Sequence, residues 1–263
     1  MKKFLVFLSL FCAFSFAQDW GKIGNIFKGM SRDFTEEEEK EIGKEIAAKL
    51  LGIYKLYKDD DLTRYINLVG NYVALYSDQP KREYIFAVLD TDTINAYSCP
   101  GGYIFVTKGL LGVVSSEAEL AVILSHEIAH ITEKHILKEI KRANILSDGT
   151  EILADRAVGG KGIGKDLAKK LSQKAMETLL TKGLAKKDEY EADSKGFEFA
   201  CRAGYNSKVY EDFLKKLDSL TKSPGMAVLV KTHPTPENRL KELKGKNCTS
   251  QIVLTERYKE RIK

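Results

Sequence analysis

The chain has 263 residues, 43% hydrophobic and 30% charged, and its formal charge of +5 at pH 7 is spread over 42 basic and 37 acidic side chains. So mild and dispersed a basicity singles out no nucleic-acid partner, and none is expected. The length suits one well-cored domain and leaves no room for a sizeable second module.

At the amino terminus, Met1-Lys2-Lys3 is a positive region, residues 4–16 are an apolar stretch, and Ser15-Phe16-Ala17 places small residues at minus three and minus one. This pattern predicts a secretory signal peptide over residues 1–17, cleaved after Ala17, and hence a periplasmic location. Phe11 before Cys12 makes a poor lipobox, so a lipoprotein or anchored form is the lesser alternative. Loss of Lys2 and Lys3 lowers the charge to about +3. No later stretch reaches the roughly 18 apolar residues of a membrane span. Residues 18–34 are expected to be an extension and 35–263 a single domain. Thr35 followed by Glu36 to Glu39 predicts a capped helix start with a solvated acidic face, and Lys186-Lys187 is read as solvated too.

Residues 84–90 and 103–107 are rich in β-branched and aromatic side chains, and Pro100-Gly101-Gly102 leads into the second run. Two strands of a small sheet are expected. Residues 116–140 then carry Leu120, Ile123, Leu124, Ile128, Ile131, Ile136 and Ile140 near a 3.6-residue period, after a Ser116/Glu119 capping signal. One buried amphipathic helix is predicted.

That helix contains His126-Glu127-Ile128-Ala129-His130, in a chain with only four histidines. Residues four apart lie above one another on a helix, so His126 and His130 can aim ring nitrogens at one point about 2 Å away, the Zn–N distance. Glu127, about 100° round the axis, is too far to share that face as a third ligand but is placed to act as general base on a metal-bound water. The chain has no C-x-x-C pair, which argues against a zinc finger. On a continuous helix His135 falls about 140° from His130, off the metal face.

Residues 147–165 are rich in glycine but lack the G-K-[ST] ending of a phosphate loop, and read as a mobile flap before a helix over residues 166–182. A catalytic zinc needs a further protein ligand. In the helical stretch from Lys187 to about Ala203, Glu189 and Asp193 share a face with the small Ala192 and Gly196. Glu189 is the expected third ligand, and Asp193 is expected to accept the free N–H of a liganding imidazole.

H-E-x-x-H followed about 60 positions later by E-x-x-A-D resembles the gluzincin metallopeptidases, specifically the family of the HtpX heat-shock peptidases, the CAAX prenyl endopeptidases and soluble periplasmic peptidases of bacteria. Asn95-Ala96-Tyr97, the Pro100-to-Leu111 block and Thr232-His233-Pro234-Thr235-Pro236-Glu237-Asn238-Arg239 are similar to three further motifs of that family. The resemblance implies an α+β, predominantly helical, zincin-like domain with a small sheet packed on the H-E-x-x-H helix, holding one zinc ion. It implies an edge strand bearing Asn95, Ala96 and Tyr97 that pairs with extended substrate. It also implies that His233 faces the zinc, as a transition-state donor or an inhibitory ligand, and that Arg239 ties its segment to the site. From chemistry alone His233 reads equally as a turn residue before Pro234. The substrates implied are misfolded or stalled periplasmic and outer-membrane proteins, with peripheral association with the outer membrane or its assembly machinery. A chaperone-like or latent quality-control protein, its zinc site gated by His233 or the glycine-rich flap, is the alternative. With Cys12 removed, Cys99, Cys201 and Cys248 allow one pair and one free thiol. Cys201 with Cys248 is the expected pair, because Cys99 falls in the implied substrate edge.

Overall fold

Thr35 starts the first helix, α1 (Glu36–Ile53): its hydroxyl accepts from the Glu38 N–H while the Glu38 carboxylate accepts from the Thr35 N–H. The computed structural model describes residues 33–146 and 165–262, so the expected signal peptide, residues 18–32 of the extension and residues 147–164 of the glycine-rich flap lie outside the described residues. The acidic start of α1 is not the solvated face expected. Glu36 and Glu37 are exposed, but Glu38 and Glu39 are buried, and Glu39 pairs with Arg82 at 2.9 Å and Lys134 at 2.7 Å. The reason is helical period: both lie one turn before Ile42 and share the face that buries Ile42, Ile46 and Leu50.

Helix α2 (Asp60–Ala74), capped by Asp59, buries Tyr65, Ile66, Val69 and Val73. Three strands follow: β1 (Ile85–Leu89), β2 (Ala96–Cys99) and β3 (Tyr103–Thr107), in the order β1-β3-β2. The β1–β3 pair is parallel, with Phe86 opposite Ile104, and β2–β3 is antiparallel, with Ala96 opposite Val106. A single turn, Pro100–Gly102, joins β2 to β3, and its glycines sit at φ 80° and 105°, where a side chain is strained. Side-chain alternation splits the sheet between two cores. Phe86, Val88, Ile104 and Val106 face α2 and the helices beyond, whereas Tyr97, Cys99 and Phe105 join Ile42, Ile46, Leu50 and Leu171.

After the short α3 (Lys108–Val113) comes α4 (Glu117–Thr132), with Ser116 as its cap. The expected amphipathic helix over 116–140 is instead two helices. All sixteen residues of α4 are buried, so it is a central helix covered on every side. Lys134, at φ 56°, ends it, and α5 (His135–Leu146) starts immediately after. The start of α4 is fixed by Glu117, fully buried, which accepts from Tyr65 Oη at 2.8 Å and Tyr205 Oη at 2.6 Å and pairs with Arg257.

The helix expected over 166–182 is α6 (Lys165–Glu177) followed by a π-helical turn, Thr178–Lys182. Then come α7 (Lys186–Arg202), α8 (Val209–Ser219), α9 (Ala227–Thr232), α10 (Pro236–Leu243) and α11 (Thr255–Arg261). Cys201 and Cys248 form a disulfide with sulfurs 2.05 Å apart, joining the end of α7 to the segment after α10, and Cys99 is a buried free thiol. Among the described residues no helix is long and apolar enough to cross a membrane.

Candidate metal centre

Helices α4 and α7 make the site where they cross. Gly196 sets their separation: a Cβ there would stand 2.8 Å from the backbone nitrogen of His126 and 2.9 Å from its Cα. This close approach brings α7 carboxylates to α4 imidazoles. The Nε2 atoms of His126 and His130 lie 2.9 Å apart, and Glu189 places Oε2 3.8 Å from the first and Oε1 3.7 Å from the second. All three residues are buried.

Two imidazole nitrogens and one carboxylate oxygen facing one point are a donor set for a divalent transition metal. Oε2 of Glu189 is buried without a hydrogen-bond partner, and burial pushes the Glu189 carboxyl up to about 7. A cation beside it would satisfy that oxygen and favour the ionised carboxylate, so the residues present fit a metal.

Behind the donors stands a polar network. Asp193 Oδ1 is 3.0 Å from Nδ1 of His126. Arg239 in turn donates to both Asp193 oxygens, at 2.9 and 2.6 Å, and lies 2.5 Å from Tyr210 Oη, which also donates to Asp193 at 2.9 Å. Burial alone would raise the Asp193 carboxyl, but the charge and hydrogen bonds of Arg239 hold it well below the usual carboxylate range. Burial likewise opposes a charge on His126, yet the hydrogen bond and charge of Asp193 raise its pKa. His130 is driven the other way, by burial and then by its histidine neighbours.

His135 is not remote from the metal face. The break at Lys134 swings it back so that its Nδ1 lies 2.8 Å from Nδ1 of His130, while its Nε2 lies 3.2 Å from Glu191 Oε2. Sequence reasoning missed His135, Glu191, Tyr210 and Glu117. Only the five-residue spacing of His130 and His135 hinted at the first, and a regular helix separates such a pair.

Glu127 is buried and lines a narrow cleft with Asn95, Ala96, Ser98, His130, Glu189 and His233. Burial raises its carboxyl against the opposing pull of His126. Ala96 and Tyr97 lie in β2, which pairs on one side only among the described residues, and Asn95 immediately precedes it. Both polar atoms of the Asn95 side chain are buried without a hydrogen-bond partner. The Tyr97 ring belongs to the second core and stacks on Tyr54 at 6.0 Å between centroids. His233 enters from the end of α9, its Nε2 3.5 Å from Glu189 Oε2.

A central helix with two imidazoles, a crossing helix with a carboxylate and a small sheet alongside define a predominantly helical α+β domain of the zincin-like class. The chain belongs to peptidase family M48, whose family model matches residues 61–247. It is 28% identical over 220 residues to the beta-barrel assembly-enhancing protease of Escherichia coli (strain K12), covering 80% of this chain and 44% of that protein. The protein of that name from Yersinia pestis is 26% identical over 223 residues, with the same coverage. The mitochondrial metalloendopeptidase OMA1 of Schizosaccharomyces pombe is 25% identical over 218 residues, covering 82% of this chain and 62% of that protein. The chain therefore spans less than half the length of the two bacterial relatives.

Proposed function

We propose that this protein is a zinc-dependent endopeptidase of the bacterial cell envelope, with one zinc held by His126, His130 and Glu189 and with Glu127 as general base. The observation that carries this reading is the convergence of His126, His130 and Glu189 on one another, with His130 and Glu189 opening on a cleft lined by Glu127 and the edge strand. When bound, zinc supplies Lewis acidity, polarising a carbonyl and making water more acidic. Glu127, its proton affinity raised by burial, takes a proton from the attacking water and returns it to the leaving amine. The β2 edge and the unpartnered Asn95 amide are suited to hold an extended polypeptide by its main chain. Asp193 and Arg239 hold His126 in one orientation. Misfolded or stalled periplasmic and outer-membrane proteins are the substrate class, supported by the names of the bacterial relatives and by the signal-peptide pattern.

Glu127→Gln tests this reading. It is expected to leave folding and zinc content intact while lowering cleavage of a casein-like substrate at least ~100-fold. Near-normal cleavage would remove Glu127 from the role of base.

A latent form of the same enzyme is the second reading. It is favoured by the burial of all four β2 residues and by His233 standing at the ligand set.

A further inference from the structure

We propose that His135 and Glu191 form a hydrogen-bonded chain that orients His130 and strengthens it as a metal ligand. This positioning role rests on the metallopeptidase reading above. His135 is fully buried, and both its ring nitrogens are engaged: Nδ1 with Nδ1 of His130 at 2.8 Å and Nε2 with Glu191 Oε2 at 3.2 Å. Two ring nitrogens at that distance need one proton and one lone pair between them. His130 turns Nε2 toward His126 and Glu189, so as a neutral ligand it carries its proton on Nδ1 and donates to His135. His135 must then hold its own proton on Nε2, where the Glu191 carboxylate accepts it. Each proton position fixes the next. The carboxylate pulls the His135 proton outward, sharpens its Nδ1 as an acceptor, and so raises the basicity of His130 toward a metal.

Helix α7 thus backs both ligand imidazoles. Asp193 reaches His126 directly, and Glu191 reaches His130 through one intervening ring. The backbone shows how the fold arranges this. An unbroken helix would carry residue 135 about 140° away from residue 130. Lys134 instead adopts φ 56°, a conformation disfavoured for a residue with a side chain, and its Nζ pairs with Glu39 at 2.7 Å. His135, Asp188 and Glu191 also have the composition of a second metal site. The contacts favour the hydrogen-bonded chain, because Asp188 is paired with Arg142 at 2.9 Å and His135 has no ring nitrogen free.

The test is the dissociation constant for Co(II), measured on the full chain by competition with a chromophoric chelator and read with the cobalt visible spectrum. The wild type is expected to bind one equivalent and Glu189→Gln to lose it. If neither holds, the metallopeptidase reading falls and takes the inference with it. With that reading standing, His135→Leu is expected to bind roughly 10- to 100-fold more weakly and with shifted visible bands. His135→Asn, whose amide oxygen can accept from His130 Nδ1, should recover part of the loss, and Glu191→Gln should weaken binding by less than His135→Leu. Wild-type affinity in a folded His135→Leu, equal weakness in the Leu and Asn variants, or a second equivalent of cobalt lost on Glu191→Gln would overturn the proposal. Should His135→Leu not fold, Glu191→Gln decides alone: wild-type affinity and spectrum there overturn it.

Discussion

Arg239 grips both oxygens of Asp193, Nε to Oδ2 at 2.9 Å and Nη2 to Oδ1 at 2.6 Å, and that Oδ1 is the atom 3.0 Å from Nδ1 of His126. A guanidinium 46 residues downstream of that carboxylate is thus linked through it to a helix-borne imidazole. The forked geometry matters as much as the charge. Arg239→Lys keeps the charge and loses the fork, so metal affinity is expected to fall about 10-fold in a protein that still folds. Arg239→Ala leaves a buried carboxylate without its cation and is expected to cost about 3–5 kcal/mol in urea unfolding. A folded Arg239→Lys with wild-type metal affinity would show that Asp193 needs no such anchor.

The metal-free protein is expected to lose stability as pH rises from 4.5 to 7. The Glu189 carboxyl has an ordinary value of 4.5 and is pushed up to about 7 in the fold by burial, against the pull of His126 and Arg239. The unfolded chain releases this proton first, so the folded state is penalised progressively between the two values, by roughly 3 kcal/mol in all. Glu189→Gln, which cannot ionise, should remove that part of the slope. Urea unfolding with chelator present, at pH 5 and pH 7.5, reads the difference, and identical slopes in wild type and variant would count against it.

Gly196→Ala sets two effects against each other. Alanine is the better helix former by about 1 kcal/mol. At this position, however, the new methyl would stand 2.8 and 2.9 Å from backbone atoms of His126, which cannot swing aside as a side chain can. Overpacking of this kind costs typically 1–3 kcal/mol, so net destabilisation is expected. Metal affinity should fall with it, because α7 carries Glu189 and Asp193. A raised melting temperature with unchanged metal binding would mean that the helices have room to part.

The parts of the site set by helical period were legible in the sequence. His126 and His130, like Glu189 and Asp193, are four apart, and a regular helix fixes their relation whatever surrounds it. The break at Lys134 was not legible, since Glu133 and Lys134 are good helix formers and no glycine or proline marks the turn. The break brings Lys134 to Glu39, 95 residues earlier in the chain, a contact that local propensity does not register, and with it went the contact of His135 with His130. The β2 strand was visible only through the family resemblance, because its four residues are buried on both faces and show no alternation. Glu117 illustrates the same limit: an acid in the first turn of a helix usually faces solvent, and only the arrival of Tyr65, Tyr205 and Arg257 makes it an interior anchor.

Glu117→Leu is accordingly expected to destabilise the protein by about 3 kcal/mol, because it strands two buried tyrosyl hydroxyls. Zinc content per folded molecule should hardly change, since Glu117 opens α4 at the end far from His130. Thermal unfolding combined with metal analysis separates the two. A variant as stable as wild type would show that the pairs merely replace solvent.

His233 offers a prediction whose sign follows from hydrogen bonding. The Thr232 hydroxyl donates to the Val228 carbonyl at 2.9 Å and lies 2.9 Å from Nδ1 of His233. With its one proton committed, that hydroxyl accepts from His233, whose proton then sits on Nδ1. Burial, and after it the charge of Arg239, lower His233 to about 3, so the ring is neutral and Nε2 keeps a lone pair facing Glu189 at 3.5 Å. A lone pair turned to the ligand set is arranged to coordinate a cation, whereas an oxyanion would need a donor there. His233→Ala is therefore expected to raise turnover severalfold without loss of zinc or of folding. Lower turnover would assign the ring to the transition state instead, and unchanged kinetics with unchanged zinc affinity would leave His233 as the turn residue before Pro234.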